Sequence, residues 1–208
     1  MGNEHPDVAQ CLGNLGFILV SRKAYEEAEA LFRESLDLKR RLLGNEHPDV
    51  LWNIYYYADL LYLKGDYEQA ARLSREVLGF RGKVLPDEHP ITASALRVLG
   101  MSLTRKGDAK SAESFLRESL GLRLKALPPS HWLIASAESV LGDCLARLKR
   151  FAEAEPLLLK GHAGLKAKFG EEDERTVEAL SRLAQLYDAW KKPEMAAHYR
   201  ARTLKTSP

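Results

Sequence analysis

The seven residues GNEHPDV occupy positions 2–8 and return letter for letter at positions 44–50. A repeat of that length is not expected by chance, so its spacing of 42 is a period to be followed along the whole chain. From His5 the step lands on His47, His89 and His131, and the first three are followed by Pro6, Pro48 and Pro90. The next landing, Asp173, has lost the histidine. A repeated unit cannot bury its apolar face alone and must stack on its neighbours, so the period constrains the fold more tightly than composition does.

The content of the unit selects the secondary structure. One column reads Gly16, Ala58, Gly100, Gly142, Ala184, and another reads Ala28, Ala70, Ala112, Ala154, Ala196. Large apolar columns accompany them: Leu15, Tyr57, Leu99, Leu141, Leu183; Leu19, Leu61, Leu103, Leu145, Tyr187; and Leu31, Leu73, Phe115, Leu157, Tyr199. Helical offsets of about three and four residues relate these positions, and strand alternation is absent. Each unit is therefore expected to be two antiparallel helices, A and B, drawn together at small side chains. They would be joined by turns near Arg22-Lys23, Gly65, Gly107, Lys149-Arg150 and Lys191-Lys192. The column Leu43, Leu85, Leu127, Phe169 implies that helix B runs on to those residues. GNEHPDV then reads as punctuation: glycine stops helix B, proline fits the first turn of the next helix, and aspartate suits its positive end.

At these columns the chain resembles the tetratricopeptide repeat family, in its 42-residue kinesin-light-chain-like form, with YEEAEALFRESLDLKRRLLGNEHPDV as the most telling stretch. The resemblance implies an all-α, right-handed α-solenoid of five helix-turn-helix units, near 5–46, 47–88, 89–130, 131–172 and 173–208, in a single domain over 1–208. The last unit also looks like the closing repeats behind bacterial serine/threonine kinases, which points to a bacterial signalling parent. Of the paired asparagines usual early in helix A only Asn14 is present, and the coiled coil of kinesin light chains is missing, which argues against a motor-cargo role.

Charge and motif content narrow the function. With 31 basic and 29 acidic residues the net charge is +2, and the basic pairs lie among acidic neighbours, so no nucleic-acid stripe exists. No apolar run approaches the ~18 residues of a membrane span, and the polar N-terminus is unlike a signal peptide, so a cytoplasmic protein is expected. Cys11 and Cys144 both fall in apolar helical pattern and are expected to be buried thiols. His5-Pro6-Asp7 and His47-Pro48-Asp49 match the tripeptide of J-domains, but here the tripeptide recurs at unit boundaries, as punctuation. Histidines spaced one per unit cannot converge on a metal. Nucleotide-binding, zinc-protease, serine-hydrolase and CxxC signatures are missing, so neither catalysis nor a cofactor is expected. Glu26, Glu27 and Glu29 open a helix B, where acids stabilise the helix end. Glu138 has no such account, since it sits in the column of Leu12, Ile54, Leu96 and Leu180.

The resemblance assigns binding to the concave face of the A helices. There it places Asn14 and Phe17, with Gln10 and Gly13 beside them; Trp52, Tyr55, Tyr56, Asp59 and Tyr62; Arg97, Met101 and Arg105; and Ser139, Asp143 and Arg147. The spacing of Trp52, Tyr55, Tyr56, Asp59 and Tyr62 puts them on one helical face, distinct from the packing face of Ile54, Tyr57 and Leu61. That cluster either fills the junction with the first unit or forms a recognition patch, since tyrosine, tryptophan and arginine dominate interfaces. The expected partner is a protein or short linear peptide carrying an acidic residue for the arginines and an aromatic or leucine anchor for the tyrosines. The lysine and asparagine set of chaperone-reading carboxylate clamps is absent: its places hold Gly13, Phe17, Tyr56, Ser94 and Val98. A second expectation is self-association through the apolar edge of the first helix, which has no capping helix ahead of it.

Overall fold

A computed structural model describes residues 5–206, with side chains described to Thr203. Gly2, Asn3 and Glu4 of the first heptapeptide lie outside the described residues. Among the described residues ten helices follow one another: α1 (Pro6–Ser21), α2 (Tyr25–Leu43), α3 (Pro48–Lys64), α4 (Tyr67–Leu78), α5 (Pro90–Arg105), α6 (Ala109–Ala126), α7 (Trp132–Arg147), α8 (Phe151–Phe169), α9 (Glu174–Ala189) and α10 (Pro193–Thr206). Among the described residues there is no strand, only an isolated bridge between Arg81 and Leu85. Nor is any helix there long and apolar enough to cross a membrane. The chain divides into two compact units, one ending at Ser102 and one beginning at Leu103, so the division falls inside α5.

The punctuation has a more specific structure than glycine, proline and aspartate alone imply. His5 and His47 are the N-caps of α1 and α3, and Nδ1 of each accepts a hydrogen bond from the backbone N–H two residues on, at 3.2 Å. The same bond runs from Ile91 N to His89 and from Leu133 N to His131. A helix start leaves N–H groups unpaired, and the imidazole satisfies one of them. Asp173 does this work in the fifth unit, its carboxylate accepting from Arg175 N at 3.0 Å. It also holds the Arg175 guanidinium through both oxygens, and that guanidinium lies 3.6 Å from the Phe169 ring centre.

The A–B turns share a second requirement. Lys23, Gly65, Gly107, Lys149 and Lys191, all 42 apart, have φ between 59° and 90°. The turn needs a left-handed residue in every unit, which glycine adopts freely and lysine adopts under constraint from its surroundings.

In the first unit α1 packs on α2, α2 on α3, and α3 on α4. Ala9, Ala28, Ala58 and Ala70 are completely buried, and Phe32 fills the space against Gly16. Glu26 and Glu29 both bond Lys64, while Glu29 also reaches Arg33 and accepts from the Tyr57 hydroxyl. Burial works against the Glu29 carboxylate, yet Lys64, Arg33 and Tyr57 hold its pKa below the usual range. This pair of carboxylates belongs to the packing of α2 on α3.

Three expectations are corrected here. Helix α4 has 12 residues where α2 has 19, and it stops at Leu78. Gly79 and Gly82 break it, Gly82 at φ 72°, and Leu85 reaches the core from a turn in which its carbonyl accepts from Gly82 N. Leu127 likewise lies just beyond α6, as its C-cap. Cys11 and Leu15 are exposed, because among the described residues α1 packs only on α2 and α3, leaving the face that carries Cys11, Leu15 and Ile18 open.

In the second unit α7 packs closely on α8, α8 on α9, and α9 on α10. Cys144 is buried there, its thiol near the Ala109 carbonyl, and burial pushes it up to about 11. Glu138 stays half-buried in its apolar column; burial raises its pKa and Lys160 opposes the rise.

The caps give the first test. His47→Ala should cost about 1 kcal/mol by chemical denaturation, as loss of a capping acceptor does. His47→Asp should cost much less, because Asp173 already fills the same place. Equal losses for the two would contradict the capping role.

Candidate functional site

Helices α1 and α3 lie side by side in the first unit, and their shared face carries an aromatic cluster. Tyr56 stacks on Trp52 at 5.7 Å between ring centres and meets Phe17 of α1 edge-on at the same distance. Tyr55 contacts both Trp52 and Tyr56, and His89 lies 6.2 Å from Trp52. The cluster sits at the junction of the two helices. It joins α3 to α1, and yet Phe17 is 59% and Tyr56 37% exposed, so part of it faces solvent.

Beneath it a cleft of about 460 Å³ opens between α1, α2 and α3. Phe17, Trp52 and Tyr56 form its apolar wall, and its polar floor is built by Lys39 and Asn53. Lys39 is 5% and Asn53 2% exposed. Asn53 Nδ2 donates to Ser35 Oγ, which donates to the Ala9 carbonyl at 2.6 Å. Lys39 Nζ donates to Gln10 Oε1 at 2.9 Å, and Gln10 Nε2 donates to Asn14 Oδ1 at 2.8 Å. Burial lowers the Lys39 pKa, and Asp49, on the cleft wall, opposes that shift. Gly13 keeps the floor open. A β-carbon there would stand 3.2 Å from Ser35 Oγ and 3.9 Å from Lys39 Nζ.

Lys39, Asn53 and Ser35 were not among the residues singled out by sequence. Two signals exist in the period. The Lys39 column reads Lys39, Arg81, Arg123, Leu165, basic three times in four, and Arg123 is also buried, donating to the Leu133 carbonyl. The Asn53 column reads Cys11, Asn53, Ala95, Ala137, Ala179, so its amide replaces a small residue.

The other expected site residues divide by location. Asn14 sits on the cleft rim, and Trp52 and Tyr55 are half-buried. Tyr62 is 8% exposed, its ring on Tyr67 at the start of α4, so it is part of the packing rather than the open face. Arg97 is not waiting for an acid: its guanidinium pairs with Asp59 at 2.8 Å and contacts Sδ of the buried Met101. Burial alone would lower the Arg97 pKa, but Asp59 and the Tyr55 hydroxyl hold it above the usual value. In the second compact unit Arg105 is exposed and Asp143 pairs with Arg147 at 3.3 Å. Ser139 is completely buried and accepts from Arg182. It faces the packing because α8 approaches closely there, with a β-carbon on Gly161 falling 2.7 Å from Ser139 Cβ.

A family model described as "Tetratricopeptide repeat" matches residues 7–83 and 133–207, and a second model of that description matches 92–133. No curated protein matches the chain. Among solved structures, a putative kinesin light chain of Podosopora anserina with nearly identical TPR-like repeats superposes with a TM-score of 0.72 at 21% identity, over 99% of this chain and 98% of that one. BtubC (BKLC) from P. vanneervenii gives 0.66 at 23%, over 88% and 73%. A Rap protein complexed with Competence and Sporulation Factor gives 0.77 at 16% identity, covering 94% of this chain and 52% of that one. Identities this low show the fold alone, an all-α repeat of the solenoid class.

The Asp59–Arg97 pair is a test of how the site is held. Asp59→Ala should cost about 1–2 kcal/mol, since it strands a largely buried guanidinium while the carboxylate it removes is partly screened by solvent. Adding Arg97→Met should restore part of that loss. Additive losses in denaturant titrations would show that the two side chains are not coupled.

Proposed function

Because the chain belongs to the tetratricopeptide repeat family, we propose that it is a non-catalytic protein-interaction scaffold that takes a short segment of its partner on the α1/α3 face. The observation that carries this reading is the half-open aromatic cluster of Phe17, Trp52 and Tyr56 above a cleft with a buried polar floor. A concave, largely apolar site with a few convergent polar groups is the usual form of a specific binding pocket. Rings held against one another have lost their side-chain freedom before a ligand arrives, which lowers the entropic cost of binding. The Rap protein solved with a bound factor supports the reading, as a relative in fold with a partner.

The second reading is self-association through α1. Leu15 and Ile18 are 46% and 50% exposed beside Phe17, an apolar stripe that another surface would cover. The two readings separate at Leu15, which is not part of the cleft.

A peptide library screened against the 208-residue chain tests the proposal. Selected peptides should lose more than tenfold in affinity on Phe17→Ala or Tyr56→Ala, as for an aromatic anchor worth about 2 kcal/mol. Glu27→Ala, on the exposed start of α2, should leave binding unchanged. Ligands indifferent to both ring deletions would place binding elsewhere. Concentration-dependent light scattering that Leu15→Glu abolishes would favour the second reading.

A further inference from the structure

The expected partner carries an acidic group, and of the two arginines expected to receive it Arg97 is already paired with Asp59, while Arg105 belongs to the other compact unit. The first unit holds another cation in a different place. Lys39 comes from α2 rather than from the A helices, and its ammonium lies at the bottom of the α1/α2/α3 cleft. An ammonium has three donor hydrogens, and Lys39 has a single hydrogen-bond acceptor among the described residues, the Gln10 side-chain oxygen. Taking a charge out of water is costly unless it is well partnered, so a lysine 5% exposed with one neutral hydrogen-bond acceptor, and with Asp49 acting on it only through space, is under-satisfied. Beside it Asn53 Oδ1 is buried without a hydrogen-bond partner, an acceptor that a carboxylate does not satisfy and that a backbone N–H of the same partner would. Gly13 supplies no side chain to cover either of them.

We infer that Lys39 is the anion-reading residue of this cleft: it receives a carboxylate of the partner that lies next to the aromatic or leucine-like side chain packed on Phe17, Trp52 and Tyr56. The inference rests on the peptide-binding reading and makes it specific. Asp49, also on the cleft wall, opposes Lys39. It repels an anion that Lys39 attracts, so affinity rises when Asp49 is neutralised and falls when Lys39 is. A purely structural lysine would not give that opposed pair of effects. The carboxylate is either the end of a chain or the side chain of a glutamate or aspartate, and the two sources are separable with small probes.

The experiment titrates the 208-residue chain, by NMR shift perturbation, with N-acetylphenylalanine, with its carboxamide, and with an end-blocked Phe-Glu dipeptide beside its Phe-Gln counterpart. At least one carboxylate probe should bind about tenfold or more tightly than its uncharged counterpart, the strength of a charge-assisted hydrogen bond. That preference should vanish in Lys39→Met and grow about twofold in Asp49→Asn, as for charges near solvent. Preference for the acetylated residue assigns a chain end, and preference for the dipeptide assigns an acidic side chain. If both uncharged probes bind as well as the acids while ring deletions still weaken library peptides, the assignment to Lys39 is overturned and the peptide-binding reading stands. If no library peptide depends on Phe17 or Tyr56, the reading falls and takes this inference with it. The wild-type comparison of acid with amide decides the matter even if Lys39→Met does not fold.

Discussion

A β-carbon placed on Gly142 would lie 2.6 Å from Cγ of Leu158, closer than such atoms come. That approach, between an A helix and its B helix, is the constraint on which the second compact unit depends. Gly164 would meet Ala135 Cβ at 2.6 Å, and Gly161 would meet the Ala135 carbonyl at 2.7 Å. In the first unit the same column places Gly16 against the Phe32 ring at 3.3 Å. Small residues bring backbones together, the large apolar columns then close around them, and the left-handed turn at Lys23 and Gly65 returns the chain at the spacing this packing needs.

The candidate site is a local departure from that scheme. In the first 42-residue repeat Gly13 stands where the other repeats have Tyr55, Arg97, Ser139 and Ser181, and in the second repeat Asn53 replaces the small residues of its column. One change removes a side chain above the floor and the other adds a polar group to it. The cleft exists because close packing of α1 on α2 positions Lys39 and Ser35 beneath a helix face that has lost its covering side chain. Rings from α3 then lean on Phe17 and wall it.

The helical repeat could be read from periodicity because burial in a repeat recurs at fixed columns, and Ala28, Ala70, Ala112, Ala154 and Ala196 are all completely buried. What failed to recur was harder to see. Gly79 and Gly82 end α4 early although the column residue Leu85 still reaches the core. Cys11 and Leu15 keep the pattern of buried residues on a helix whose outer face nothing among the described residues covers. The histidines repeat visibly, but their capping bond depends on backbone angles that a list of residues does not contain. Of the candidate site, the aromatics were legible by spacing. Lys39 was not, since a lysine on a helix reads as solvated until its surroundings are known, and Asp59 with Arg97 sit 38 residues apart and reveal their pairing only in the fold.

The close approach of A and B helices can be measured directly. Gly142→Leu should lower stability in a denaturant titration by about 1–3 kcal/mol, the usual cost of forcing extra carbon into a packed core. That loss should appear despite the roughly 1 kcal/mol of helix propensity gained by replacing a mid-helix glycine. A variant as stable as the parent, or more stable, would mean that α7 and α8 do not meet at this column and would contradict the packing on which the account rests.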